Sequence, residues 1–222
     1  MFLSVDEAEA HCTAGAYIWE KYSTDKGVDP DIVLAGIGFE LTTEVLAAAK
    51  KIRSEFGDDV RVRVVNIVDL MILSADHPHA LNEAGFNSLF PPGVPVFMNY
   101  HGYPAQLESL LFHRQHSLGR TRFHVSGYSE QGTTTTPFMM LKVNDCDRYF
   151  IGRKALEMIN NNFVKTDNIK DPQKRLRYGR IAAKTVTFQA MLEHESRQMV
   201  KYTVETQQDH TDVGHSEVLK EG

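Results

Sequence analysis

The sequence predicts an α/β protein, a three-layer sandwich whose mostly parallel (mixed) sheet carries helices on both faces. The first observation is the continuous apolar run at residues 31–38, which ends in glycines and is typical of a buried parallel strand. The second is that three further strand-like runs follow, at 60–70, 94–99 and 121–128. The third is that helical patterns separate these runs, as the crossovers of a parallel sheet require.

The elements in the first half follow from local signals. Ser4 and Glu7 have the spacing of a capping box, which predicts a helix from there to about residue 22. A second helix is predicted to end before Gly57, because apolar side chains recur every three or four positions up to residue 56 and Glu44 in its first turn suits the helix dipole. A short helix is expected within 71–90, and Pro104 favours a helix over 104–113.

The second half is predicted to be mainly helical. Residues 138–143 fit a helix or a strand equally well, and 145–162 fit a helix. Asp171 and Pro172 open a long helix to about residue 201, followed by a polar tail. We therefore expect one α/β domain over 1–165, a helical extension of the same domain over 166–205, and a flexible tail over 206–222.

Composition narrows the functional class. The chain has 222 residues, a net charge of −5, 42% hydrophobic and 24% charged residues. This balance does not favour nucleic acid or an anionic membrane as a partner. No apolar run approaches the ~20 residues that a bilayer requires, and the two cysteines lie far apart in sequence. We expect a reduced, cytoplasmic protein.

The glycines after the first apolar run suggest a nucleotide site only in part. Gly36 and Gly38 begin a dinucleotide fingerprint, but Leu41 stands where its third glycine belongs. These glycines would equally serve a tight turn into the helix. Asp69, at the end of the next strand, has the position of a ribose-binding carboxylate or of a simple cap.

The histidines do not predict a metal site. His77 and His79 form one close pair, and His113 and His116 form another. Neither pair has a third ligand at a recognised spacing. No Ser/His/Asp or Cys/His set is evident either, so an independent hydrolase is the least favoured function.

Several polar groups are candidates for an interface or an effector site. His101 and Tyr128 follow strand-like runs, which places them at the carboxyl edge of the sheet, where open α/β sheets bind ligands. The four threonines are expected to rigidify a turn and to cap the next helix. The basic residues of the last helix, 174–184, indicate a solvated face or an acidic partner. The complete candidate set is His101, Tyr103, His113, Arg114, His124, Tyr128, Glu130, Thr133, Thr134, Thr135, Thr136, Asn144 and Arg148.

A block of residues gives the sequence a family resemblance. Residues 127–138 read GYSEQGTTTTPF, with YHGYP at 100–104 before them and NDCDR at 144–148 after them. In this order they resemble the C-terminal domain of thiamine-diphosphate-dependent phosphoketolases, and the resemblance runs from about residue 2 to 160. Three places depart from the family pattern. Gly38-Phe39-Glu40 stands where family members often carry Gly-Asp, and Asn87 and Met139 stand where they often carry aspartate.

The resemblance implies a fold like the C-terminal domain of transketolases, which is Rossmann-like. It implies a parent enzyme, a carbon–carbon lyase that cleaves xylulose 5-phosphate or fructose 6-phosphate with phosphate to acetyl phosphate and an aldose phosphate. Thiamine diphosphate and Mg²⁺ would be held by two preceding domains, so this chain is expected to hold no cofactor and to be inactive alone.

The expected partners are those preceding domains and a second subunit. A domain made to sit on others is also expected to expose apolar surface and to self-associate when it is isolated. The alternative is a stand-alone Rossmann-like module that binds a small anion or nucleotide near Gly38, Asp69, His101 and Tyr128.

Overall fold

A computed structural model of the protein describes residues 3–114, 122–130, 132, 135–165 and 171–208, with the backbone alone for 163–165. Its centre is one five-stranded sheet. The strands are β1 (Ala16–Ile18), β2 (Ile32–Ile37), β3 (Val62–Ile67), β4 (Val96–Tyr100) and β5 (Phe123–Gly127), in the order β1-β3-β2-β4-β5. Only β1, at one edge, is antiparallel to its neighbour. The predicted mostly parallel, mixed sheet is confirmed.

The helices follow the predicted order with shifted ends. They are α1 (Val5–Ala14), α2 (Phe39–Phe56), α3 (Glu83–Leu89), α4 (Pro104–Leu111), α5 (Pro137–Val143), α6 (Arg148–Lys165) and α7 (Pro172–Thr206). Short 3₁₀ turns lie at Glu20–Tyr22, Gly57–Asp59, Leu70–Leu73 and Phe112–Arg114. Residues 137–143, for which the sequence allows helix or strand, are helical because Thr136 caps α5 and Pro137 occupies its first position.

The sheet separates two hydrophobic cores. Alternate residues of each strand point to opposite faces, so that Leu34 and Phe97 enter one core while Val33 and Met98 enter the other. Helices α2, α6 and α7 cover the first face. The turn at Leu70–Leu73 and helices α3 and α4 cover the second. Helices on both faces therefore make the predicted three layers.

The predicted first helix is wrong beyond residue 14. Gly15 adopts the left-handed conformation, with φ 75°, and its N–H donates to the carbonyl of His11, which ends α1. The chain then turns back and Ala16–Ile18 pairs with β3. Three residues are too short a run for their alternation to stand out in the sequence, so local patterns do not predict this edge strand.

Helix α7 belongs to the core of the first face. Ile181, Phe188 and Leu192 are fully or almost fully buried there, and the rings of Phe188 and Phe56 meet edge-on at 5.2 Å. The basic start of α7 finds acidic partners within the chain, since Arg177 pairs with Asp31 and Arg180 with Asp59. These pairs account for part of the basic run without an external partner.

Candidate functional site

The carboxyl edge of the sheet brings two of the predicted residues together. His101 directly follows β4 and Tyr128 directly follows β5, and their rings meet edge-on with centroids 5.1 Å apart. The Nδ1 atom of His101 lies 3.2 Å from a carboxylate oxygen of Glu40, in the first turn of α2. Both side chains of that ion pair are about half exposed, at 47% and 60%. At this edge of the sheet the imidazole of His101 is therefore already in contact with the carboxylate of Glu40.

Beside His101 lies an open cleft of about 720 Å³ between the ends of β2, β3 and β4, which we call the carboxyl-edge cleft. Its polar lining is small and consists of His101, Thr42, Asn66 and the backbone of Gly38. Seven lining side chains are apolar or aromatic: Trp19, Ile37, Phe39, Ile67, Val68, Leu70 and Tyr100. Size and place match those of ligand or docking sites in open α/β sheets.

The glycines at this edge have packing roles. Gly38 has φ 94°, and a Cβ there would lie 2.6 Å from the Cβ of His101. A Cβ at Gly36 would lie 2.7 Å from the Cα of Thr42, because α2 packs directly on β2. Asp69 accepts from the N–H of Met71 and lies 3.1 Å from His79. The tight turn into α2 accounts for Gly36 and Gly38, and the cap on the turn at Leu70–Leu73 accounts for Asp69. A bound nucleotide is not needed to explain any of the three.

Arg148 is a structural residue. Its guanidinium donates to both carboxylate oxygens of Glu44, at 2.9 and 2.6 Å, and its backbone N–H donates to the same carboxylate at 2.7 Å. Both side chains are almost wholly buried. The pair joins the second turn of α2 to the start of α6, so Glu44 serves as the acceptor for this joint rather than only for the helix dipole.

Arg114 is a structural brace as well. Its guanidinium donates to the carbonyls of Leu73, Ser74 and Leu81 and lies over the ring of Phe86, 4.5 Å from the centroid. Partial burial lowers the pKa of Arg114. Because these carbonyls belong to the loop between β3 and α3, the arginine holds that loop against the end of α4.

The segment between β5 and α6, which includes helix α5, is held by local hydrogen bonds. Asn144 accepts from the N–H of Ser129, at 3.2 Å, and donates to the carbonyl of Met140. Thr136 accepts from the N–H of Met139, which is the predicted capping role. Thr135 is exposed, and Thr133 and Thr134 lie outside the described residues. Neither Thr135 nor Thr136, the two threonines of this block that the structure describes, has a hydrogen bond to a described side chain that could act as a general base.

The remaining candidates lie apart from the cleft. His124 is in the body of β5 and packs between the rings of Phe97 and Phe150. Burial lowers the pKa of His124. His113, Tyr103 and Glu130 are exposed, and none of them lines the cleft. The structure therefore does not gather the candidate set into one catalytic constellation.

Two groups that the sequence does not single out have defined environments. His11 is buried against the ring of Tyr17, at 4.2 Å, and its Nδ1 accepts from the indole N–H of Trp19 at 3.1 Å. Burial raises the pKa of the Cys146 thiol to about 12, so this cysteine is unsuited to nucleophilic chemistry. The sequence carries no signal for either, because both depend on contacts across elements.

The described part of the chain carries neither a metal cluster nor a membrane-spanning helix. Within it, no group of three or more His, Cys, Asp or Glu side chains is placed to hold a metal ion. Within the same residues, every helix falls short of the length or the apolar character that a membrane crossing demands. The described residues form an α/β body with a largely apolar cleft at the carboxyl edge of its sheet.

Comparison with known proteins decides the family. The family model described as the XFP C-terminal domain matches residues 1–218. The chain belongs to this family. It is 48% identical over 161 residues to a probable phosphoketolase of Schizosaccharomyces pombe, covering 72% of this chain and 19% of the relative. It is 38% identical over 196 residues to a probable phosphoketolase of Gloeobacter violaceus, covering 87% of this chain and 22% of that protein. The predicted resemblance to a phosphoketolase C-terminal domain is confirmed.

This chain spans about a fifth of the length of these two relatives. Among solved structures, transketolase from Leishmania mexicana aligns with a TM-score of 0.48 and 19% identity, covering 68% of this chain and 19% of that one. The three-layer fold itself is established by the sheet and its two cores.

Proposed function

We propose that this chain is the structural, domain-docking and dimer-contact part of a cytoplasmic phosphoketolase and that it performs no chemistry alone. The observation that carries the proposal is the match over residues 1–218 to a C-terminal domain family, together with relatives that the chain matches over only about a fifth of their length. The parent reaction would be the phosphorolytic cleavage of xylulose 5-phosphate or fructose 6-phosphate. Its products would be acetyl phosphate and an aldose phosphate.

The polar side chains of the domain support a structural role. Arg148, Arg114 and Asn144 are engaged in hydrogen bonds that join elements of the fold. These groups stabilise the folded state, and neither a guanidinium nor a carboxamide exchanges protons near neutral pH as a general acid or base does. In the parent enzyme the thiamine ylid would supply the carbon–carbon cleavage, and the domains that hold thiamine diphosphate and Mg²⁺ would lie elsewhere in the polypeptide.

Nothing in the comparisons supports the alternative of a stand-alone binding module. No lysine or arginine is among the described residues that line the cleft, its ionisable side chains are Tyr100 and His101, and Glu40 already stands beside His101. A phosphorylated ligand is normally held by arginine or lysine side chains.

The proposal is tested by an assay of the purified chain. With fructose 6-phosphate, inorganic phosphate, thiamine diphosphate and Mg²⁺, we expect no acetyl phosphate above a protein-free blank. The S. pombe relative, assayed in parallel, is the positive control. Turnover by the 222-residue chain alone would contradict the proposal.

A further inference from the structure

We propose that the carboxyl-edge cleft receives an apolar side chain from the thiamine-diphosphate-binding part of a phosphoketolase. The inference rests on the proposed function and adds to it the surface through which the domain docks. The occupant is a protein segment with an aliphatic or aromatic anchor residue. It belongs to the four-fifths of the polypeptide that the relatives have and this chain lacks.

The rim of the cleft is unusually apolar for a free surface. Two of the side chains that line it, Phe39 and Val68, are 54% and 51% exposed, and two more, Leu70 and Tyr100, are partly buried. A contiguous apolar surface around a concave centre is typical of a protein–protein contact rather than of a solvated edge.

Phe39 lines the cleft from the start of α2 and is about half exposed. It is the first residue of α2, and no side chain caps that helix. The first turn of a helix favours acidic side chains, so glutamate at this position would suit the helix better than a half-exposed phenylalanine does. The phenylalanine is expected when the position serves a contact made outside this chain.

The chemistry of the cleft favours an apolar anchor over a sugar phosphate or nucleotide. No lysine or arginine is among the described residues that line it, and the one histidine there pairs with Glu40. The His101–Glu40 pair lies at the edge of the apolar surface, as polar groups do at the rim of a docking interface. The volume of about 720 Å³ accommodates one or two large side chains.

The test uses the tagged 222-residue chain co-expressed with the S. pombe phosphoketolase from which its matched 161 residues have been removed. Co-expression lets the two parts fold in each other's presence. Trp19 lines the cleft and is the only tryptophan of the chain. Chain that is labelled with 5-fluorotryptophan, purified separately and then mixed with the unlabelled truncated partner therefore gives one ¹⁹F resonance, which reports occupation of the cleft.

We expect the wild-type chain to bind and its Trp19 resonance to shift. Phe39→Glu and Val68→Glu should each weaken binding about tenfold or more, because a charge would be buried against an apolar anchor. The matched controls are Phe112→Glu and Val186→Glu, which alter side chains that are 67% and 74% exposed outside the cleft. Their affinity should stay within about twofold of wild type. Unchanged melting temperatures would show that the cleft variants are folded.

The outcomes separate the inference from the function on which it rests. Binding that all four variants retain would overturn the cleft as the docking surface and leave the docking function intact. Failure of the wild-type chain to bind would overturn the proposed docking function together with the inference. A shift of the Trp19 resonance on adding inorganic phosphate or ATP alone would show that the cleft takes a small anion and would overturn the apolar anchor.

Discussion

Arg148 and Glu44 form an ion pair that is almost wholly buried, with side chains 2% and 5% exposed. Three hydrogen bonds from one residue to one carboxylate compensate for the loss of hydration on both sides. Removing one partner would leave the other charge buried without a counterion, which is more costly than losing the pair as a whole.

We therefore predict that Arg148→Met lowers the free energy of unfolding by about 3–5 kcal/mol, measured by urea denaturation. The double variant Glu44→Leu/Arg148→Met should recover most of that loss, because neither charge remains. Arg180→Met is the control. It breaks a pair with Asp59 in which the arginine is 58% exposed to screening by solvent, and should change the free energy of unfolding far less than Arg148→Met does. Equal losses for Arg148→Met and Arg180→Met would contradict the assignment.

His11 links stability to pH. Burial lowers its pKa in the folded protein, so the unfolded chain binds a proton at a higher pH than the folded chain does. The contribution of neutral His11 is thus fully present above about pH 6.5 and is lost as the pH falls through that value towards the lower folded pKa. Protonation also removes the acceptor for the indole N–H of Trp19.

We predict that the folded wild-type protein loses stability between pH 7.5 and 5.5 by more than His11→Phe does, by about 1 kcal/mol. Trp19 fluorescence is the measurement, since this single indole both reports unfolding and donates to His11. His11→Phe keeps a ring beside Tyr17 but cannot titrate. A pH dependence that is the same in both proteins would rule out His11 as its source.

At the scale of elements, the sheet and helix α2 meet at closer range than a side chain permits. Gly36 in β2 lies under the backbone of Thr42, so a methyl group there would collide with α2. Gly179 in α7 is exposed, and a Cβ added to it would meet no atom within 4 Å. The same substitution is therefore expected to have opposite effects at the two glycines.

We predict that Gly36→Ala destabilises the protein by about 1–3 kcal/mol, because α2 must move away from β2. Gly179→Ala should stabilise it by about 0.5–1 kcal/mol, because alanine restricts the unfolded chain and favours helix. Thermal unfolding of both variants against wild type is the measurement. A neutral Gly36→Ala would contradict the close packing of α2 on β2.

The elements differ in how far the sequence determines them. The long apolar run of β2 and the capping box of α1 are local signals, and both elements are predicted from them. Strand β1 escapes prediction because it is held by pairing with β3, which no local pattern records. The candidate site shows the same limit. Strand ends place His101 and Tyr128 correctly, but the binding of Glu44 by Arg148 spans 104 positions of sequence.

For the whole molecule, strand ends predict a site at the carboxyl edge of the sheet but not its apolar lining, which comes from the ends of β2, β3 and β4, the first turn of α2 and Trp19 after β1. The expectation that the isolated domain exposes apolar surface has a structural counterpart in Phe39 and Val68. The family resemblance supplied what physical patterns did not, namely that the chain is a part of a phosphoketolase architecture.

The central claim is that this domain supports a reaction that it does not perform. The most direct measurement is acetyl phosphate formation from fructose 6-phosphate by the S. pombe phosphoketolase lacking its matched 161 residues, with and without this chain. The account predicts background rates for each part alone and a gain that saturates as the chain is added. An unchanged rate at saturating chain, or turnover by the chain alone, would contradict it.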